Sequence, residues 1–191
     1  MTHDVLFVLG LPGSGKGTQA RKLSEKLGFF YFETGEILRH IAQDNTPFGV
    51  AAKRAMNEGA LLQDEDIEAV LKLHLRGLEP GKGIIFDGVP RRLGQGAFLL
   101  EYLKNELGHR DMGTILINIS TEECAHRIAG RAVKEGRADD NPQAVAERVK
   151  QQSATLGEVL GFLSENSKVY DIDGMPPIED VEKAIYSALG I

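Results

Sequence analysis

Glycine and lysine crowd into one short stretch, Gly10-Leu-Pro-Gly-Ser-Gly-Lys-Gly-Thr18. Gly10, Gly13, Gly15 and Gly17 allow the backbone to curl until several N–H groups point at one anion. The stretch follows the apolar run Val5–Leu9, which reads as a buried strand, and precedes Gln19–Leu27, which reads as an amphipathic helix. A helix beginning near Lys16 adds unpaired N-terminal donors and the positive end of its dipole. Strand, glycine loop and helix form the setting of a phosphate-binding loop, with the Lys16 charge directed at terminal phosphates. The hydroxyl residue that usually follows the lysine and touches Mg²⁺ is displaced here: Gly17 takes that place and Thr18 comes next. Mg²⁺ is therefore expected to be held mostly through waters and phosphate oxygens.

Two further groups carry chemistry. Gly83-Ile-Ile-Phe-Asp-Gly88 is an apolar run ending in an acid. A carboxylate delivered by a strand beside the phosphate loop is what phosphoryl transfer needs near Mg²⁺, and Asp87 fits that place. The arginines Arg39, Arg91, Arg92, Arg127, Arg131, Arg137 and Arg148 nearly all fall just beyond strand-like runs or beside one short loop. Arg127 and Arg131, four apart, share a helix face. A planar, always-charged fork suits phosphate oxygens better than lysine does. His3, His40, His74, His109 and His126 occupy no motif and read as structural or surface residues.

The elements that must position these groups alternate. Strand-like runs recur at Val5–Leu9, Phe29–Phe32, Gly83–Phe86, Thr114–Ile119 and Lys168–Ile172, with helical patterns between them. This predicts a five-stranded parallel sheet with helices on both faces and a ligand site at the carboxyl ends of the strands. About fifty residues separate the second and third runs, too many for one crossover helix, so several short helices and an inserted subdomain are expected. Thr34 is expected to cap a helix over 36–43, and Gly59 to close one over 48–58. Asp64 is expected to cap a third that reaches about Leu78. Thr121 is expected to cap a helix ending at Arg131, and Ala132–Gly136 then reads as a short loop. Asn141-Pro142 starts the next long helix and the last runs over 178–189.

A length of 191 residues fits a single domain, and 42 % hydrophobic residues supply a core. A net charge of −6 argues against nucleic acid or an anionic membrane as the main partner, so an anionic ligand must meet a local basic cluster. Cys124 is the single cysteine, which excludes a disulfide framework and a cysteine-rich zinc site; it is expected half-buried on a helix. No apolar run approaches the roughly 20 residues of a membrane span. The expectation is a cytoplasmic chain.

Four segments, in order, resemble the adenylate kinases within the nucleoside monophosphate kinases. Gly10–Ala20 is similar to that family's phosphate loop, including its Lys-Gly-Thr form. Thr34-Gly-Glu-Ile-Leu-Arg39 resembles the start of its monophosphate-binding insertion, and Asp87-Gly-Val-Pro-Arg91 with Gln95 resembles its signature loop. Arg127-Ile-Ala-Gly-Arg131, Gly136–Asn141 and Arg148 resemble its lid and flanking arginines. The likeness spans Val5 to about Gly174. It implies an α/β P-loop fold of three layers around a five-stranded parallel sheet. A helical monophosphate-binding insertion over 33–62 and a short lid over 130–140 are implied within one kinase domain, 1–191.

The resemblance further implies that Gly13, Ser14, Gly15, Lys16, Gly17, Thr18, Arg127, Arg131, Met175 and Pro176 bind ATP. Thr34, Arg39, Ala60, Leu61, Leu62, Gly88, Val89, Pro90, Arg91, Gln95, Arg137 and Arg148 would bind AMP. Lys16, Arg91, Arg131, Arg137 and Arg148 would act on the transferred group, with Asp87 holding Mg²⁺ through water. Val89 stands where the family usually has phenylalanine and Arg92 where it has a small hydroxyl residue; both are expected beside the AMP site. Leu156-Gly157 replaces a stretch that often carries proline. The zinc-bearing long lid of some relatives is out of reach for a chain with one cysteine. A single-chain state is expected, as in most relatives.

The implied reaction is transfer of the ATP γ-phosphoryl group to AMP, giving two ADP, with Mg²⁺ as cofactor. The acceptor oxygen is already anionic, so no strong general base is needed. Gln95 and Thr34 point to adenine, and a UMP or CMP kinase is the same-class alternative. A non-catalytic nucleotide-binding module is the alternative of another class; against it stand Lys16, Asp87, Arg91, Arg131, Arg137 and Arg148 together. A GTPase would need an Asn-Lys-x-Asp motif, which is absent.

Overall fold

The computed structural model describes residues 3–79, 81–109, 111–135 and 141–191, without the side chains of 132–135. Five strands form one sheet: β1 (Val5–Leu9), β2 (Phe30–Glu33), β3 (Ile84–Asp87), β4 (Met112–Asn118) and β5 (Lys168–Asp173). Their order is β2-β3-β1-β4-β5, and every pairing is parallel. Alternation along β1 explains the layering. Val5, Phe7 and Leu9 enter a core with Phe32, Ile84, Phe86 and Leu99 on one face. Leu6 and Val8 enter a second core with Ala20, Leu23, Ile115 and Ile185 on the other. A strand buried on both faces reads as a continuous apolar run, which is why β1 was conspicuous.

The helices are α1 (Lys16–Leu27), α2 (Thr34–Ile41), α3 (Pro47–Glu58), α4 (Asp64–Leu75), α5 (Leu93–Asn105), α6 (Thr121–Glu135), α7 (Pro142–Ser164) and α8 (Ile178–Leu189). Three of them, α2 to α4, fill the long connection between β2 and β3. Gly59 closes α3 in the left-handed region (φ 70°), and Asn141 Oδ1 caps α7 by accepting from the Ala144 N–H at 2.9 Å. Both follow the sequence reading.

Several local expectations need correction. Thr34 is the first residue of α2, not its cap, and its hydroxyl donates to the Asp87 carbonyl at 3.2 Å. Asp64 likewise opens α4 rather than capping it, because its carboxylate accepts from Gln95; that helix stops at Leu75, short of Leu78. Ser120, not Thr121, caps α6, its Oγ accepting from the Glu123 N–H at 3.1 Å. The same helix continues through Glu135, so Ala132–Glu135 are helical where a loop was expected, and Gly136 lies outside the described residues. Strand β2 ends at Glu33 rather than Phe32, because the ladder pairs Glu33 with Asp87.

Parallel strands all end at one edge of the sheet, so the turns after β1, β2, β3 and β4 open on the same side. Because β1 lies at the centre, its loop stands between the ends of β3 and β4, where the chain reverses its winding direction.

Candidate active site

The loop after β1 curls rather than extends. Gly13 and Gly15 hold φ of 83° and 88°, a region costly for other residues, and the Ser14 N–H donates back to the Leu11 carbonyl at 3.0 Å. Lys16 starts α1 at the rim of this loop, its ammonium 3.4 Å from the Leu11 carbonyl. Gly17 explains the displaced hydroxyl: a Cβ there would lie 2.9 Å from Asp87 Oδ2. The carboxylate at the end of β3 fills the space that a side chain at 17 would need. Tyr31 completes the contact, its hydroxyl 3.1 Å from the same Oδ2.

These groups open into one cleft of ≈ 1340 Å³. That volume exceeds the roughly 300–1,000 Å³ of a pocket for one small molecule. Lys16, Asp87, Arg91, Arg131 and Arg148 all line it, although they come from four separate segments. Burial draws the Lys16 ammonium down to about 8, with Arg91, Arg131 and Arg148 pushing the same way against Asp87. Burial also lowers Arg91 to about 10, opposed by Asp87 and assisted by Arg148. Arg91 Nε is buried without a hydrogen-bond partner. Lys16 is repelled by Arg91, Arg131 and Arg148, and Arg91 by Arg148; that repulsion is relieved when anionic oxygens enter the cleft.

The remaining predicted residues divide clearly. Gly13, Gly15, Gly17, Thr18, Thr34, Arg39, Ala60, Leu61, Leu62, Gly88, Gln95, Arg127, Met175 and Pro176 line the same cleft. Arg127 bridges one wall, donating to Glu123 at 2.7 Å and to the Met175 carbonyl at 3.2 Å. Gln95 is 2 % exposed and partly committed: Oε1 accepts from the Arg91 N–H at 2.9 Å and Nε2 donates to Asp64 at 3.0 Å. One amide N–H and one oxygen lone pair of Gln95 remain.

Ser14, Val89 and Pro90 do not line the cleft. Ser14 lies buried beneath the loop, and Pro90, after a cis bond, borders a small separate cavity. Val89 was expected beside the AMP site, but its side chain joins the apolar core with Ile84 and Phe86, because the left-handed turn at Gly88 (φ 80°) breaks the alternation that would have set it on the Ile85 face. Arg92 buttresses instead of lining: its guanidinium donates to the Leu62 carbonyl at 3.3 Å and lies 3.6 Å from Asp64. Cys124 is fully buried, not half-buried, and burial pushes its thiol up. Arg137 and the tip of the expected lid, 136–140, lie outside the described residues.

Sequence reasoning missed Tyr31 and Glu33. Both sit in or at the end of an apolar run, where a polar residue at a strand terminus looks incidental. Glu33 lines the cleft and pairs with Arg39 at 3.0 Å and Arg21 at 2.8 Å. A charged residue directly before Thr34 at a strand's carboxyl end was the available signal.

No helix among the described residues is long and apolar enough to cross a membrane. The model of the family described as adenylate kinase matches residues 8–168 of the chain. An adenylate kinase of Xylella fastidiosa (strain 9a5c) is 38 % identical over 185 residues, 97 % of this chain and 98 % of that protein. An adenylate kinase of Xanthomonas campestris pv. campestris (strain B100) is 37 % identical over the same shares.

Proposed function

The chain belongs to the adenylate kinase family, and we propose from that premise that it transfers the γ-phosphoryl group of ATP to AMP, reversibly, giving two ADP. The observation that carries this reading is the meeting of Lys16, Asp87, Arg91, Arg131 and Arg148 in one cleft large enough for two nucleotides. In this reading the curled loop and Lys16 take the donor polyphosphate. Arg127 and the Met175–Pro176 backbone flank its base. Thr34, Arg39 and the backbone of Ala60–Leu62 and Gly88 take the acceptor, with Arg91 and Arg148 between the two.

Asp87 supplies a hard anionic oxygen at the mouth of the loop, in the space left by the absent side chain of Gly17, and so fits Mg²⁺ held through water. When bound, that ion would neutralise charge on the polyphosphate. The protein's own work is positioning. Arginine forks fix the acceptor oxygen in line with the donor phosphorus and meet the charge that spreads over the transferred group. The acceptor oxygen carries no proton to remove, so no side chain is assigned as a base. Adenine is favoured as acceptor base because the remaining N–H and lone pair of Gln95 match its ring acceptor and amino group.

The division into a monophosphate-binding insertion over 33–62, which holds α2 and α3, and a lid over 130–140 belongs to the same proposal. So do cytoplasmic residence and action as a single chain. A coupled assay of ADP formation from ATP and Mg²⁺ with AMP, CMP, UMP or GMP tests it. Turnover with AMP at least tenfold above the others is expected; preference for a pyrimidine overturns the choice of acceptor. ATP binding without ADP formation overturns the enzyme.

A further inference from the structure

We propose that Glu33 is a built-in occupant of the acceptor-phosphate site: its carboxylate holds Arg39 in the ligand-free protein and sets the affinity for the monophosphate by competing with it. The inference rests on the reading of Arg39 as an acceptor-phosphate ligand.

Glu33 ends β2, beside Asp87 at the end of β3. Its Oε1 accepts from Arg39 at 3.0 Å and its Oε2 from Arg21 at 2.8 Å. The side chain is only 16 % exposed and Arg39 28 %, so neither charge is solvated like a surface group. The Arg39 guanidinium is folded back over Gly35, where a Cβ would lie 3.2 Å from Nη1. The fork is thus held beside the strand end, in the cleft that both residues line. A carboxylate and a phosphate present the same thing to a guanidinium, a pair of anionic oxygens. The contact uses Nη2 alone, so an incoming phosphate either displaces the carboxylate from that edge of the guanidinium or shares the fork with it at close range, and either way Glu33 weakens its hold.

Exchange is feasible because Glu33 has a second cation. When a phosphate takes Arg39, Arg21 stays on Oε2, so the carboxylate does not become an isolated buried charge. Arg21 is itself held, with Glu36 at 3.2 Å and the Tyr31 ring 5.0 Å below its guanidinium. The exchange therefore costs one half-buried ion pair. Glu33 also adds a second negative charge, next to Asp87, along the path of a dianionic acceptor. Both effects weaken acceptor binding and leave the donor loop alone.

Glu33→Gln keeps length and an oxygen acceptor but removes the charge. In the full-length protein, KM for AMP and the AMP dissociation constant measured by calorimetry without ATP are expected to fall about three- to tenfold, the scale of a partly screened ion pair plus local repulsion. KM for ATP should stay within about twofold, which a general loosening of the fold would not produce. Arg39→Ala, measured in parallel, should raise KM for AMP more than tenfold, on the scale of a lost charge-assisted contact. If it does not, the reading of the acceptor site fails and takes this inference with it. If Arg39→Ala behaves as expected but Glu33→Gln leaves KM for AMP unchanged or raises it, Glu33 merely aims Arg39 and the proposal alone is overturned. Glu33→Ser repeats the test should the glutamine variant fail to fold.

Discussion

The clearest quantitative consequence concerns Lys16. Its ammonium is drawn by burial to about 8 from an ordinary 10.5, so the ligand-free protein loses this charge as pH rises through 8. A bound polyphosphate favours the charged form and returns the group toward its ordinary value. Binding must then draw a proton from solution. For a group at about 8 in the free state and restored by binding to the ordinary 10.5, uptake is about 0.1 proton at pH 7, about 0.5 at pH 8 and about 0.9 at pH 9. The affinity for ATP falls up to about tenfold per pH unit above 8 for the same reason. Folding stability moves the other way. Between about 8 and 10.5 the unfolded chain binds more protons, so this group's contribution rises with pH across that window, by at most about 3 kcal/mol. Calorimetric titration of ATP at pH 8 and 9, in buffers of different ionisation enthalpy, reads the proton count directly. Lys16→Met should abolish it. Equal proton uptake by the parent protein and Lys16→Met at pH 8 would refute the assignment, whatever the effect on turnover.

Three other outcomes are expected. Arg91→Ala should lower kcat by about 10²–10⁴-fold, the scale of a transition-state cation in phosphoryl transfer, and near-normal turnover in the purified variant would remove Arg91 from that role. Gly17→Ala places a methyl group 2.9 Å from Asp87 Oδ2 and should displace that carboxylate by a few tenths of an ångström. A loss of about tenfold in kcat is expected, with a raised Mg²⁺ requirement in the same assay. Leu71→Ala empties a fully buried position on α4 and should cost about 2–5 kcal/mol, read as a lowered midpoint in urea with activity per folded molecule retained.

What was legible in the residue string was whatever rests on local rules. The phosphate loop declared itself because its glycines, its lysine, the strand before it and the helix after it are all contiguous. The central strands β1, β3 and β4 were legible because a sheet covered on both faces needs unbroken apolar runs; the partly exposed edge strands β2 and β5 followed from the alternation with helices, and the crowd of helices between β2 and β3 from counting residues. Asp87 and the arginines could be nominated because parallel strands deliver their carboxyl ends to one edge. Single-residue roles at helix starts were less secure. Thr34, Asp64 and Thr121 each had the composition of a cap, yet Thr34 and Asp64 found stronger partners across the fold, and Ser120 took the role beside Thr121.

Tertiary structure decided who touches whom. Only the β2–β3 register sets Glu33 beside Asp87, and only the return of α2 over that edge gives Glu33 the fork of Arg39. Val89 was placed in the core, and Gln95 was tied to Asp64, by contacts between segments far apart in the chain. The division has one physical cause. Backbone conformation and hydrophobic period are set within a few residues, so they can be read in order. Charge pairing and burial depend on which distant surfaces the packed sheet and helices bring within a few ångströms, and no local pattern encodes that distance.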